Sequence, residues 1–166
     1  MPIYMEFEGI KGNVTESKHK DWIALHSLQF GVGRGISTSV GNAGNREAST
    51  PSVSEMTVTK ELDVASVGLL HASLGGADGK KVTITFTQTD TKGAGRVYLT
   101  FKLTNVMVSG YSLSGAGGHE NHGRPTETLS LNFTKIYDEY APHGDENKTG
   151  TSTKTEYDLA QGKITV

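Results

Sequence analysis

Apolar and polar residues alternate along most of this chain, the pattern of strands with one buried face. Ile3, Met5 and Phe7 fall on one face of an opening strand, with Tyr4, Glu6 and Glu8 on the other. After Gly9, Gly12 and a polar stretch at 13–20, the pattern predicts a long second strand. Trp22, Ala24, His26, Leu28, Phe30 and Val32 alternate along it, while Ile23 and Leu25 place apolar groups on its opposite face. Both faces are expected to be covered there, as in a barrel wall or a subunit contact. Residues 33–52 lose the alternation. They are rich in Gly, Ser and Asn and read as a long loop, a kind that in compact domains is functional or disordered. Strand character returns at 53–60, where Met56 and Val58 share a phase.

One helix is predicted, over 64–74. Asp63 is placed to cap it, Val67, Leu70 and Leu74 share a face, and Gly75 and Gly76 supply a stop. Gly68 weakens it by about 1 kcal/mol relative to Ala. Val82, Ile84 and Phe86 then alternate with Thr83, Thr85 and Thr87 in an amphipathic strand. A turn at 90–95 leads into Val97, Leu99, Phe101 and Leu103, which completes a hairpin. Val106 and Val108 are apolar in the other register, so a bulge near Thr104 and Asn105 is expected to bend that strand. A glycine-rich loop at 114–125 precedes a strand through Leu129, Leu131, Phe133 and Tyr137. A polar connector at 143–150 and a weaker final strand at 151–166 follow. About seven strands with one short helix and long loops make a mainly β protein: a small β-barrel of two packed antiparallel sheets. No internal repeat is visible, and a single domain over 1–166 is expected.

Composition narrows the function more than the fold. With 21 Gly, 4 Pro and 34% hydrophobic residues, the chain suits a sheet protein with polar loops. It has no cysteine, which excludes a disulfide framework and thiolate chemistry. Its net charge is −2, and its longest basic patch is Lys18, His19 and Lys20, so nucleic acid is not an expected partner. No apolar run reaches the length of a membrane span. The opening residues lack a basic segment followed by a continuous apolar one, so no signal peptide is expected and folding is placed in the cytoplasm.

Candidate chemistry is thin. Residues 31–35 (GVGRG) resemble half of a dinucleotide fingerprint, but no helix follows to hold a pyrophosphate. His119 and His122 flank Glu120 at a spacing of three, where a zinc-protease helix needs four, and adjacent glycines favour a loop. His19, His26, His71 and His143 have no ligand spacing. Asp138 and Glu139 are neighbours on a strand and point to opposite faces. No nucleophile elbow occurs. Catalytic, cofactor and metal residues are therefore not assigned, and no enzyme activity is expected, although two acids from distant segments remain an open arrangement.

Four segments carry a resemblance that spans the chain. They are residues 3–12 (IYMEFEGIKG) with 17–23 (SKHKDWI); 58–63 (VTKELD); 103–111 (LTNVMVSGY); and 125–137 (PTETLSLNFTKIY). In this order and spacing the chain resembles the Hcp family of the bacterial type VI secretion system. It departs at Ser66-Val67-Gly68-Leu69, where the family often has a proline. The resemblance implies a barrel with a lateral helix, closed into hexameric rings that stack into a tube. That tube lies in a contractile sheath beneath a spike, is secreted by the type VI machinery, and binds and protects effector proteins in its lumen. Residues 33–52 match the loop that reaches neighbouring subunits, which makes Val40, Asn42, Asn45, Arg46, Glu47 and Pro51 inter-subunit candidates. The family's lumen-facing small polar residue aligns with Gln29, a departure in type; Ser27 shares its face. Both are lumen candidates. The competing readings are a monomeric β-sandwich ligand-binding module, for example for carbohydrate, and a hydrolase with a spatially assembled site. A carbohydrate platform calls for clustered aromatics, against one Trp and 6 dispersed Tyr here.

Overall fold

The computed structural model describes residues 1–166 except 39, 42–45, 77, 90–94, 118–122 and 143–149, and except the side chains of Thr38 and Glu47. Its elements are β1 (Ile3–Phe7), β2 (Ile23–Leu25), β3 (Ser27–Gln29), β4 (Val32–Gly33), β5 (Ile36–Thr38), β6 (Arg46–Ala48), β7 (Ser52–Val53) and β8 (Met56–Glu61). Helix α1 (Ser66–Gly75) follows, then β9 (Lys80–Thr89), β10 (Gly95–Ser114), β11 (Thr126–Asn132), β12 (Lys135–Tyr140), β13 (Thr153–Asp158) and β14 (Lys163–Thr165). The fold is mainly β with one short helix, as the alternation predicts.

All pairings are antiparallel. One sheet runs β2–β1–β9–β10–β12–β13–β14. The other runs β3–β8–β11–β10. The long strand β10 serves both, its first half pairing with β9 and β12 and its second half with β11. The register shifts between Leu103 and Val106, where Asn105 takes a left-handed φ of 57°. This is the expected bulge, and it marks the crossing between sheets. On the opposite side, β2 and β3 form the second crossing. His26 separates them, and its N–H donates to the Thr59 carbonyl at 2.8 Å. The result is two sheets packed face to face across shared crossing strands, not one continuously hydrogen-bonded cylinder.

Between the sheets lies one apolar core. Met5, Ile23, Met56, Val58, Ile84, Leu129 and Leu131 are fully buried in it. The turn at His26 corrects the reading of the second strand as continuous. Before it, Ile23 and Leu25 face the core; after it, Leu28 and Phe30 do. One residue at the corner shifts the phase, and this produced the apparent coverage of both faces. A similar shift separates β11 from β12, so Ile136 and not Tyr137 continues the core after Phe133. The final segment is a hairpin, β13–β14, turned through Gly162 at φ 62°.

The helix begins near its predicted start. The Asp63 carboxylate accepts from the Ala65 N–H at 2.9 Å, and the Ser66 hydroxyl accepts from the Asp63 N–H at 2.9 Å. Its buried face differs from the expectation. Ala65 and Leu69 face the core, whereas Val67 and Leu74 are 78% and 79% exposed and Leu70 is also exposed. The reason is size. A Cβ on Gly68 would lie 3.3 Å from the Ile10 side chain, so the helix sits close on its small-residue side and leaves the bulky stripe outward.

Candidate assembly surfaces

Strands β8 and β11 alternate, so Lys60 falls in phase with Met56 and Val58, and Glu127 with Leu129 and Leu131. The register sets Lys60 directly opposite Glu127, and both side chains are fully buried. The Lys60 ammonium donates to the Glu127 carboxylate and to the Glu61 carbonyl at 2.7 Å, and pairs with Asp63 at 2.8 Å. Glu127 also accepts from the Tyr111 hydroxyl and from the Ser66 hydroxyl at 2.7 Å. Burial pushes the Glu127 carboxyl upward, but the bonds from Lys60, Tyr111 and Ser66 together outweigh it and hold the group below the usual range. Burial, then the bond to Glu127, pushes the Tyr111 hydroxyl up to about 12. A network so fully satisfied ties β8, β10, β11 and the start of α1 into one rigid unit. Sequence reading quoted these residues only as parts of a resemblance. Their signal was a charged residue at a core position on each of two alternating strands.

The other face of the same sheet is polar. Ser27 and Gln29 share a face of β3 and are both exposed. Thr57 and Thr59 on β8 lie beside them across the ladder, and the hydroxyls of Ser27 and Thr59 are 2.6 Å apart. Thr128, Ser130 and Asn132 of β11 continue this face. Glu55 lies at its end, accepting from the Ser109 hydroxyl at 2.7 Å and the Asn132 amide at 3.3 Å. Period 2 thus presents hydroxyls and amides to solvent on one side while Met56, Val58, Leu129 and Leu131 fill the core on the other.

The described residues of 31–54 form an arm and not the irregular loop expected. Strand β4 pairs with β7, and β5 pairs with β6 farther out. Serine hydroxyls replace missing ladder partners: Ser54 Oγ accepts from the Gly31 N–H at 2.7 Å, and Ser49 Oγ from the Gly35 N–H at 2.9 Å. Rungs of two or three residues interrupted by glycine are too short for alternation to reveal. Along the arm Val32, Ile36 and Val40 are exposed, Val40 completely. Arg46 is exposed on β6, the Glu47 backbone pairs with Ser37, and Pro51 is half-buried at the base. Asn42 and Asn45 lie outside the described residues.

The described histidines do not form a cluster with metal-binding geometry. His19 is buried, its Nδ1 2.5 Å from Glu16 and its Nε2 3.1 Å from the Thr85 hydroxyl, stacked on Tyr4. It pins the 13–22 loop to the sheet. His26 is exposed and stands 3.6 Å from Glu61. His119, His122, Glu120 and His143 lie outside the described residues. Among the described residues no cluster of three or more His, Asp or Glu has metal-binding geometry. Trp22 is half-buried with its ring edge-on to His19 at 4.8 Å, so it does not present a flat carbohydrate platform. Asp138 and Glu139 do diverge: Glu139 accepts from the Tyr137 hydroxyl at 2.9 Å on one face of β12, while Asp138 shares the Ile136 face. No helix among the described residues is long and apolar enough to cross a membrane.

Comparison with known proteins converges on one group. Residues 4–140 match the protein family described as "Type VI secretion system effector, Hcp". Protein hcp1 of Pseudomonas aeruginosa is 30% identical over 111 residues, a match spanning 66% of this chain and 65% of that protein. A solved structure described as a type six secretion system protein superposes with a TM-score of 0.88 at 27% identity, covering 99% of both chains. Hcp1 from Salmonella typhimurium shares the fold at a TM-score of 0.78 and 21% identity, over 99% of this chain and 98% of that one.

Proposed function

The chain belongs to the Hcp family of type VI secretion proteins, and from that premise we propose that it is a tube subunit that closes into hexameric rings. The rings stack, and the stack is exported as folded protein. The observation that carries this reading is the arm. A folded chain that holds Val32, Ile36 and Val40 in solvent on a projecting hairpin has apolar surface suited to a copy of itself. A heterologous contact of this kind closes a ring when its rotation permits. In this reading Val40, Asn42, Asn45, Arg46, Glu47 and Pro51 belong to the inter-subunit contact. The hydroxyl-lined face with Ser27 and Gln29 forms the lumen wall, where it contacts effectors. The outward apolar stripe of α1 faces away from the lumen and suits a sheath contact. The role is structural, and no catalytic step is assigned.

The absence of cysteine from the chain permits a clean test of orientation. Nitroxide labels on Gln29→Cys should lie closer to one another across the ring than labels on Leu74→Cys, measured by pulsed electron resonance. The reverse order would place the hydroxyl face outside and overturn the lumen assignment.

A further inference from the structure

The inner face of the β12–β13–β14 extension is unusual. The ladders align Ile136 with Tyr157 and Tyr157 with Ile164, and place Asp138 opposite Thr155. Period 2 therefore sets an acid in line with Ile136, where an apolar residue is expected. Ile136 and Tyr157 pack against the core, but beyond them this face stays open. A cleft of about 400 Å³ separates it from the base of the arm, with Phe30, Val32, Pro51 and Val53 on the arm side. Arg34 also lines the cleft. Its walls are mostly apolar, yet Ile164 and Val32 remain 64% and 59% exposed. The Asp138 Oδ1 atom is buried without a hydrogen-bond partner. Burial raises the carboxyl above the ordinary carboxylate range. A buried polar atom without a partner is costly, so the single chain presents a site with an unmet requirement.

What would meet it is a short apolar segment carrying a hydrogen-bond donor or cation. The outer part of the arm has that composition. Ile36 and Val40 are exposed, and Arg46 lies on the strand paired with Ile36–Thr38. We propose that the arm tip of one copy seats in the cleft at the arm base of the next, with Ile36 and Val40 against the apolar walls and Arg46 paired to Asp138. Donor and acceptor lie at opposite ends of the same arm, so the contact is head-to-tail and every copy both gives and receives one. The inference rests on the self-assembly reading and specifies where the arm goes.

Double substitution of Val40→Cys and Ile164→Cys in this cysteine-free chain tests it directly. Mild oxidation of the assembled protein should give a ladder of covalently joined chains on a denaturing gel, removed by reductant. Thr155→Cys in place of Ile164→Cys should do the same. Adding Arg46→Asp should weaken the ladder at least tenfold, and Asp138→Asn should weaken it comparably while keeping the cleft's shape. Circular dichroism checks that each variant is folded. No ladder from folded variants whose native mass is still oligomeric would overturn the inference and leave the tube reading standing, because another occupant would then fill the cleft. A ladder indifferent to both charge changes would overturn the Arg46–Asp138 pairing. A parent chain that is monomeric would remove the assembly reading itself.

Discussion

At the scale of single residues, the Lys60–Glu127 pair dominates. Removing one partner of a buried pair leaves the other charge uncompensated, at about 3–5 kcal/mol. Glu127→Leu and Lys60→Met are each expected to lose stability on that order in urea denaturation. Joint replacement, Lys60→Met with Glu127→Leu, should lose less than the sum, because the two sites share one interaction. The pH dependence follows from the folded chain holding Glu127 below the usual carboxylate range. Its contribution is complete above the ordinary glutamate pKa of about 4.3 and is lost as pH falls through the folded value. Asp138 acts in the opposite sense, since its raised pKa favours the folded state as pH falls. Comparing parent and double variant in acid therefore isolates Glu127: the parent should lose stability and the double variant less. An identical acid profile would remove the pair from the account. Neither the pair nor its register was legible in advance. Alternation placed both residues on core faces, but nothing in one sequence says that β8 lies beside β11.

Elements were more legible than residues. The strands through Met5, Ile84, Leu103 and Leu129 follow from alternation, and the bulge at Asn105 from the phase slip between Leu103 and Val106. What escaped were the corners at His26 and after Phe133, where a single residue exchanges faces, and the arm, whose rungs of two or three residues barely complete one period of the pattern. The helix was found and its face was not, because Gly68, Ala65 and Ala72 mark the packed side through smallness, which a hydrophobic stripe does not register. Smallness also decides the 13–22 loop. A Cβ on Gly12 would fall 2.2 Å from the Trp22 carbonyl oxygen and 2.8 Å from the Ile23 Cα, both backbone atoms that cannot rotate away. Gly12→Ala should therefore push the loop off β2 and destabilise the fold by about 1–3 kcal/mol. Trp22 is the single tryptophan, so its emission reports this loop. A red shift with reduced stability is the expected result; unchanged emission and stability would contradict the close-packing argument.

For the whole molecule, the two sheets divide the labour. One side of the β3–β8–β11 sheet is core and the other is a continuous polar wall. The crossings at β10 and His26 hold the arm and the β12–β13–β14 extension at the periphery, where each leaves apolar surface uncovered. A lone chain leaves Val40 and Ile164 in solvent, and the proposed ring would cover such surface in every copy. Of this arrangement, the loss of alternation over 33–52 marked the position of the arm, while Ser27 and Gln29 were named only through the family resemblance. The cleft stayed hidden because it is made by segments more than eighty residues apart. The measurement that bears most directly on self-closure is the mass of the native particle, by native mass spectrometry at near-neutral pH. The account predicts a species of about six times the 17.7 kDa chain mass; a monodisperse particle of one chain at all accessible concentrations would contradict it.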